Sequence, residues 1–289
     1  MSLIKTPAEI AVMKEGGAIL SQALRVAMKM CVAGASTEAI DAAAKKAMED
    51  AGAKPSFLGY RISPNVPDFP SSICISINDE VVHGLATPDR TIKEGDIVGL
   101  DIGCWYKGLA TDMATTVIVG TVPEKTQKLV ADTRESLVRG LGAVKAGGWI
   151  GEIGAAVEDF LKPKGYGIVK DLVGHGVGHK VHEDPPVPNF RDKRTPPVKM
   201  EEGMVLAIEP MVTLGDWRVD VKEDEWTIVT RDHSLAGHFG PAGRPGPHLS
   251  AAHDRTRRAY GADRHLEHRG GGEALECPRH RRRRTGRWF

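Results

Sequence analysis

The chain has 289 residues, a net charge of +1, and a composition that is 41% hydrophobic and 27% charged. That is enough chain to bury a sizeable core, and the balance is that of a globular protein rather than a fibrous or disordered one. No apolar run approaches the roughly 18 residues that span a bilayer. The opening stretch mixes Lys5, Glu9 and Lys14 with short apolar pieces, which is no signal peptide, so a cytoplasmic protein is expected.

Taken in chain order, Thr6-Pro7 is a helix start, and Ile10, Met13, Leu20 and Leu24 carry helical spacing to Met30. Ser36 or Thr37 caps a second helix that runs through Met48 and stops at Gly52. Ser72 to Ile77 predicts a strand, and Asp96 to Val119 predicts two strands around a turn near Tyr106, Lys107 and Gly108. A helix after Pro123 places Leu129, Val130, Leu137, Val138 and Leu141 on its apolar side. Another covers about Gly151 to Leu161, and strands follow to Thr230.

The segment Ala33-Gly34, Ile40, Ala42-Ala43 and Gly52 is echoed 113 residues later by Ala146-Gly147, Ile153, Ala155-Ala156 and Gly165. A duplicated helix–helix–strand unit accounts for this order, giving two α+β halves that share one core with a site at their junction. Cys31, Cys74, Cys104 and Cys277 form no C-x-x-C pair, which argues against a disulfide framework or a thiolate zinc site.

Three segments carry chemistry. Asp101 and Asp112 lie in otherwise apolar strands. They sit directly opposite if the hairpin turns about Tyr106-Lys107, and diagonally if it turns about Lys107-Gly108. Two carboxylates that close repel unless a proton or a cation lies between them. Val173-Gly-His-Gly-Val-Gly-His-Lys-Val-His-Glu-Asp-Pro185 holds His175, His179 and His182 among glycines. Gly176 stands where a helical zinc motif needs Glu, so a bent strand whose backbone approaches a site is expected. Glu209 closes an apolar strand before Pro210, where a lone carboxylate would be costly.

Together with Ser72-Ile-Cys-Ile-Ser-Ile-Asn78, Val82-His-Gly84 and Trp226-Thr-Ile-Val-Thr230, these segments resemble the type I methionine aminopeptidases over about Ile4 to Phe239. The resemblance implies the pita-bread fold: α+β, two pseudo-symmetric helix–helix–strand halves around a curved antiparallel sheet. It makes Asp101, Asp112, His175 and Glu209 ligands of two divalent ions (Co, Mn, Fe or Zn). His83 and His182 would contact the substrate, and Glu209 would also move protons. Cys74, Trp226, Tyr60 and Phe69 would border the methionine pocket. The implied activity is removal of the initiator methionine before a small second residue. The implied partners are the N-terminal peptide of a nascent protein and the ribosome, with no DNA or membrane; a monomer is expected. A non-catalytic pita-bread protein that binds peptide or RNA is the competing reading, and a proline-directed relative such as prolidase is a third.

At the C-terminal end the chain departs from that family. Its pattern places Glu-His-Thr, whose Glu bridges both ions, where this chain has Gly240-Pro241-Ala242. From Gly240 to Phe289 there are 12 Arg, no Lys and five acids, a net +7 that leaves −6 for the rest. Residues 1–239 are therefore expected to form the catalytic domain. Residues 240–289 are expected to be a disordered tail, read either as translation in a shifted frame or as a basic segment for ribosomal RNA. On this reading the closing strand is lost with the fifth ligand, activity is poor, and Gly240→Glu alone recovers little.

Overall fold

The computed structural model describes residues 3–194 and 196–243. The first half opens with helix α1 (Pro7–Met30), started by a capping box: the Glu9 amide donates to Thr6 Oγ1 at 3.3 Å, and the Thr6 amide to Glu9 Oε2 at 2.7 Å. Helix α2 (Thr37–Asp50) is capped by Ser36, whose hydroxyl accepts from the Ala39 amide. Strands β1 (Lys54–Pro55), β2 (Ile73–Ile77), β3 (Glu80–Val82), β4 (Ile97–Tyr106) and β5 (Leu109–Ile118) follow. The second half has α3 (Glu124–Gly142), α4 (Ile150–Leu161), a 3-10 turn over Lys162–Lys164, and strands β6 (Gly167–Ile168), β7 (Gly174–Gly176) and β8 (Glu183–Val187). Short strands complete it: β9 (Leu206–Ala207), β10 (Met211–Thr213), β11 (Val219–Val221), β12 (Ile228–Thr230), β13 (Ala236–His238) and β14 (Gly240–Gly243).

The echo is a structural repeat. Shifting α2 by 113 residues lands on α4, and shifting β1 lands on β6. Ile40 and Ile153 are both fully buried, and Gly34 and Gly147 both take positive φ. Even the isolated bridge of Ser36 with Thr91 recurs as Trp149 with Lys199. The mixed α+β pita-bread architecture predicted from sequence is therefore the fold.

The apolar interior forms several clusters rather than the single core that was expected; two belong to one half each, and others draw on both, as where Met13, Phe69 and Cys74 pack with Val177, Val181 and Trp226. Leu20, Leu24, Ile40 and Met48 pack α1 and α2 against Ile73, Leu100 and Ile102. Leu137, Leu141, Ile150 and Ile153 pack α3 and α4 against Leu206, Ile208 and Phe239. Each such side chain, removed from water, contributes about 1.5–3 kcal/mol.

The halves are joined by hydrogen bonding through one antiparallel eight-stranded sheet in the order β1-β4-β5-β14-β9-β7-β8, with β2 also on β4. Two three-stranded sheets, β13-β10-β6 and β11-β12-β3, flank it. The loss of a closing strand is thus corrected. Gly240 and Pro241 pair with Ala114 and Met113 of β5, and Ala242 and Gly243 pair with Ala207 and Leu206 of β9. A ladder is made by backbone groups, so a segment without the expected side chains still fills it, though Pro241 has no N–H to give. The sheet therefore runs four residues past the boundary drawn at 239. The disorder and the frame change expected after 243, with Cys277, lie outside the described residues.

Candidate active site

Asp101 and Asp112 come from the β4–β5 hairpin. Its register pairs Asp101 with Ala114 and Gly103 with Asp112, so the turn is Lys107-Gly108 and the carboxylates are diagonal. Both turn residues have positive φ, the conformation that suits a two-residue hairpin. His175 lies on β7, between glycines that the packing requires. A Cβ on Gly174 would meet the Ala207 carbonyl at 2.2 Å, and one on Gly176 the Asp184 carbonyl at 2.3 Å. Glu209 follows β9, its backbone carbonyl held by Asn189 Nδ2 at 2.8 Å.

These elements converge. Asp112, His175 and Glu209 each offer a ligand atom within 4.8 Å of the others, and His175 Nε2 stands 3.7 Å from Glu209 Oε2. Asp101 lines the same cleft outside that triad. Asp101 Oδ1 and Asp112 Oδ1 are buried with no hydrogen-bond partner among the described residues. Burial, then the charge of Glu209, holds the Asp101 carboxyl well above the usual range; burial, then Asp101, does the same for Asp112. Burial pushes Glu209 up to about 7. Three carboxyls that resist ionisation together around one imidazole, with orphaned oxygens, fit a divalent cation. Position 240 adds no ligand: a Cβ on Gly240 would lie 3.1 Å from Glu209 Cγ, facing the site, but glycine carries none.

The predicted histidines are also gathered here. His182 accepts from or donates to Tyr60 Oη through Nδ1 at 2.6 Å, and its ring meets that of His175 edge-on at 4.4 Å. Burial, followed by His175 and His83, drives His182 down to about 2. Burial alone lowers His83 to about 4, and burial chiefly does the same for His175. His83 has φ 59°, a left-handed conformation that is uncommon outside glycine and collects at functional sites. Phe69 and Trp226 meet edge-on at 5.1 Å, with the indole donating to the Pro67 carbonyl. These rings, with Tyr60 and Cys74, wall a cleft that opens to solvent.

Two departures stand out. His179 does not enter the cleft; its Nε2 pairs with Glu9 Oε1 at 2.7 Å. His238 does enter, lining the cleft beside His83 and Met211, and sequence reasoning missed it. Its only local signal is a place two residues before Gly240 on an extended segment, which puts both on one side. Burial, then His83, lowers it to about 3.

Residues 11–234 match the model of metallopeptidase family M24. The chain is 40% identical over 240 residues to methionine aminopeptidase of Clostridium acetobutylicum, covering 83% of this chain and 93% of that one. It is 38% identical over 239 residues to methionine aminopeptidase 1 of Bacillus subtilis, with the same shares covered. The crystal structure of the Thermotoga maritima methionine aminopeptidase superposes with a TM-score of 0.78 at 41% identity, over 83% of this chain and 93% of that one. The chain is a methionine aminopeptidase-like member of metallopeptidase family M24. As a metallopeptidase of that family it binds divalent metal, and the competing reading as a non-catalytic pita-bread protein is not favoured. Prolidase from Pyrococcus furiosus, at 24% identity and a TM-score of 0.63, shares the fold. Among the described residues no helix is long and apolar enough to cross a membrane.

Proposed function

We propose that the chain removes methionine from the N-terminus of nascent peptides with a small second residue, as a cytoplasmic monomer that meets its substrate at the ribosome. The observation that carries the proposal is the Asp112–His175–Glu209 triad in the wall of a cleft that Phe69, Trp226, Tyr60 and Cys74 also line. Phe69, Trp226, Tyr60 and Cys74 receive an unbranched thioether, a side chain that suits irregular apolar walls and aromatic edges.

Asp112, His175 and Glu209 would hold one divalent ion, with Asp101 reaching toward a second. Carboxylates with one imidazole suit Mn, Fe or Co, with zinc as a further choice. A cation there supplies Lewis acidity to the peptide carbonyl and makes a water more acidic. Glu209 accepts the proton of the attacking water and returns it to the leaving amine. His83 and His182, held neutral by burial, orient the carbonyl and the amide of the bond to be cut. Glycine at 240 leaves the second ion position short of a ligand, so the chain as written turns over slowly.

The test is methionine release from a Met-Ala-Ser peptide, with Mn titrated in and EDTA as control. Metal-dependent release is expected, slow but measurable. Release that EDTA leaves unchanged would overturn the reading, and preference for an Xaa-Pro dipeptide would favour the prolidase-like alternative.

A further inference from the structure

Residues 61–68 make a short excursion at the rim of the cleft. Backbone pairing closes its neck: the Gly59 amide donates to the Phe69 carbonyl at 2.8 Å, and the Phe69 amide to the Tyr60 carbonyl at 2.9 Å. Just beyond that neck the Arg61 guanidinium meets Asp68 Oδ1 at 2.5 Å. Within the loop the Val66 amide donates to the Ser63 carbonyl at 3.2 Å, and Pro64 and Pro67 each fix a φ angle. A segment held this way has little freedom left to lose when a ligand covers it.

The loop is also joined to the apolar wall of the cleft. Trp226 Nε1 donates to the Pro67 carbonyl at 2.9 Å, and Ile62 and Val66 pack against the cluster that holds Phe69, Cys74 and Trp226. Phe69, Cys74 and Trp226 are buried, whereas Ile62 lines the same cleft and stays half-exposed. Tyr60 is half-exposed too, but its hydroxyl is engaged with His182. Ile62 therefore offers apolar surface that a ligand can still cover. In an extended peptide, side chains two residues apart share a side and lie about 6.5 Å from each other. With methionine against Phe69 and Trp226, the second side chain points away and the third runs along the same wall. We infer that Ile62 forms a subsite for the side chain of the third substrate residue and selects an apolar one there. The inference rests on the aminopeptidase reading and adds to it a specificity-determining residue on the rim loop.

Competition between peptides in one tube tests this, because relative rates of methionine release then report the ratio of kcat/KM directly. The full chain in Mn²⁺ should cleave Met-Ala-Leu-Ser about fivefold faster than Met-Ala-Ser-Ser. Leucine moved to the fourth residue, in Met-Ala-Ser-Leu, should gain nothing, since that side chain faces the other way. Ile62→Ser should bring the Leu/Ser ratio at the third residue to within about twofold of one and leave Met-Ala-Ser-Ser cleaved as before. Ile62→Leu, which keeps an apolar contact, should retain most of the preference. Equal rates for Met-Ala-Leu-Ser and Met-Ala-Ser-Ser, an equal gain from leucine at the fourth residue, or an unchanged ratio in Ile62→Ser overturns the inference and leaves the aminopeptidase reading in place. Absence of release from every peptide overturns both.

Discussion

A Cβ placed on Gly240 would lie 3.1 Å from Glu209 Cγ and 3.5 Å from Ala114 Cβ, so position 240 faces the carboxylate cluster on a strand that is present. That reverses the expectation drawn from the sequence, in which the strand was lost and Gly240→Glu recovered little. With the ladder in place, the substitution needs only a side-chain adjustment by Glu209. We expect Gly240→Glu to raise bound Mn from about one ion per chain to about two, and to raise methionine release at least tenfold, as a fourth carboxylate offsets the second charge. Calorimetric stoichiometry checks the first and the Met-Ala-Ser assay the second. Without metal the same change adds a like charge to three buried carboxyls, so the EDTA-treated variant should melt below the parent.

Among the elements, the β7–β8 loop shows how the N-terminal segment supports the site. Glu183, next to His182, is ion-paired with Lys5, and both side chains are almost fully buried. His179 Nε2 pairs with Glu9 Oε1 at 2.7 Å, and the Ala110 amide donates to the Gly178 carbonyl at 2.7 Å, so the loop is tied to both α1's first turn and β5. Lys5→Met leaves Glu183 buried without its lysine, although the Lys180 amide still donates to it at 2.9 Å. It should cost about 3–5 kcal/mol in denaturant unfolding, whereas Lys5→Met with Glu183→Gln should cost clearly less. Equal costs would mean the pair contributes by packing and not by charge. Strand β14 is the second case. Among the described residues it alone joins β5 to β9 in the large sheet, yet it contains Gly240, Pro241 and Gly243, residues that weaken a central strand. A chain ending at Gly243 should keep the melting temperature of the full chain, and one ending at Phe239 should lose several degrees. Identical melting of the two truncations would show that the halves hold together without β14.

For the molecule as a whole, pH couples to metal through the cluster. Asp101, Asp112 and Glu209 have raised folded-state pKa values, so without metal they cost stability as pH rises from the unfolded carboxylate range toward about 7. The lowered histidines act the other way: stability from His83, His175, His182 and His238 is present above about 6.5 and lost as pH falls toward their folded values. The two trends overlap, so the metal-dependent difference is the informative quantity. Metal must displace protons from carboxyls, while His175 is already neutral above about 4. The rise in melting temperature on adding Mn to EDTA-treated protein should therefore be larger at pH 7.5 than at pH 5.5. A shift that is equal at both values would count against carboxylate ligation.

The sequence by itself determined the helices, the repeat and the segments that line the cleft, because these are written in local terms: capping at Thr6 and Ser36, helical spacing of Ile10, Met13 and Leu20, and glycines around His175. It placed Asp101, Asp112, His175, Glu209, His83 and His182 at one cleft through motifs that the fold brings together. Tertiary structure decided what depends on pairing between distant segments. It chose the diagonal register of the two aspartates and sent His179 outward to Glu9. It brought His238 in, and it used the backbone of Gly240–Gly243 to join the two halves. A one-residue slip of a strand turns its side chains to the other face, and a backbone ladder accepts residues whose side chains signal no strand at all. Such choices are made by the partner strand, which the local sequence does not name.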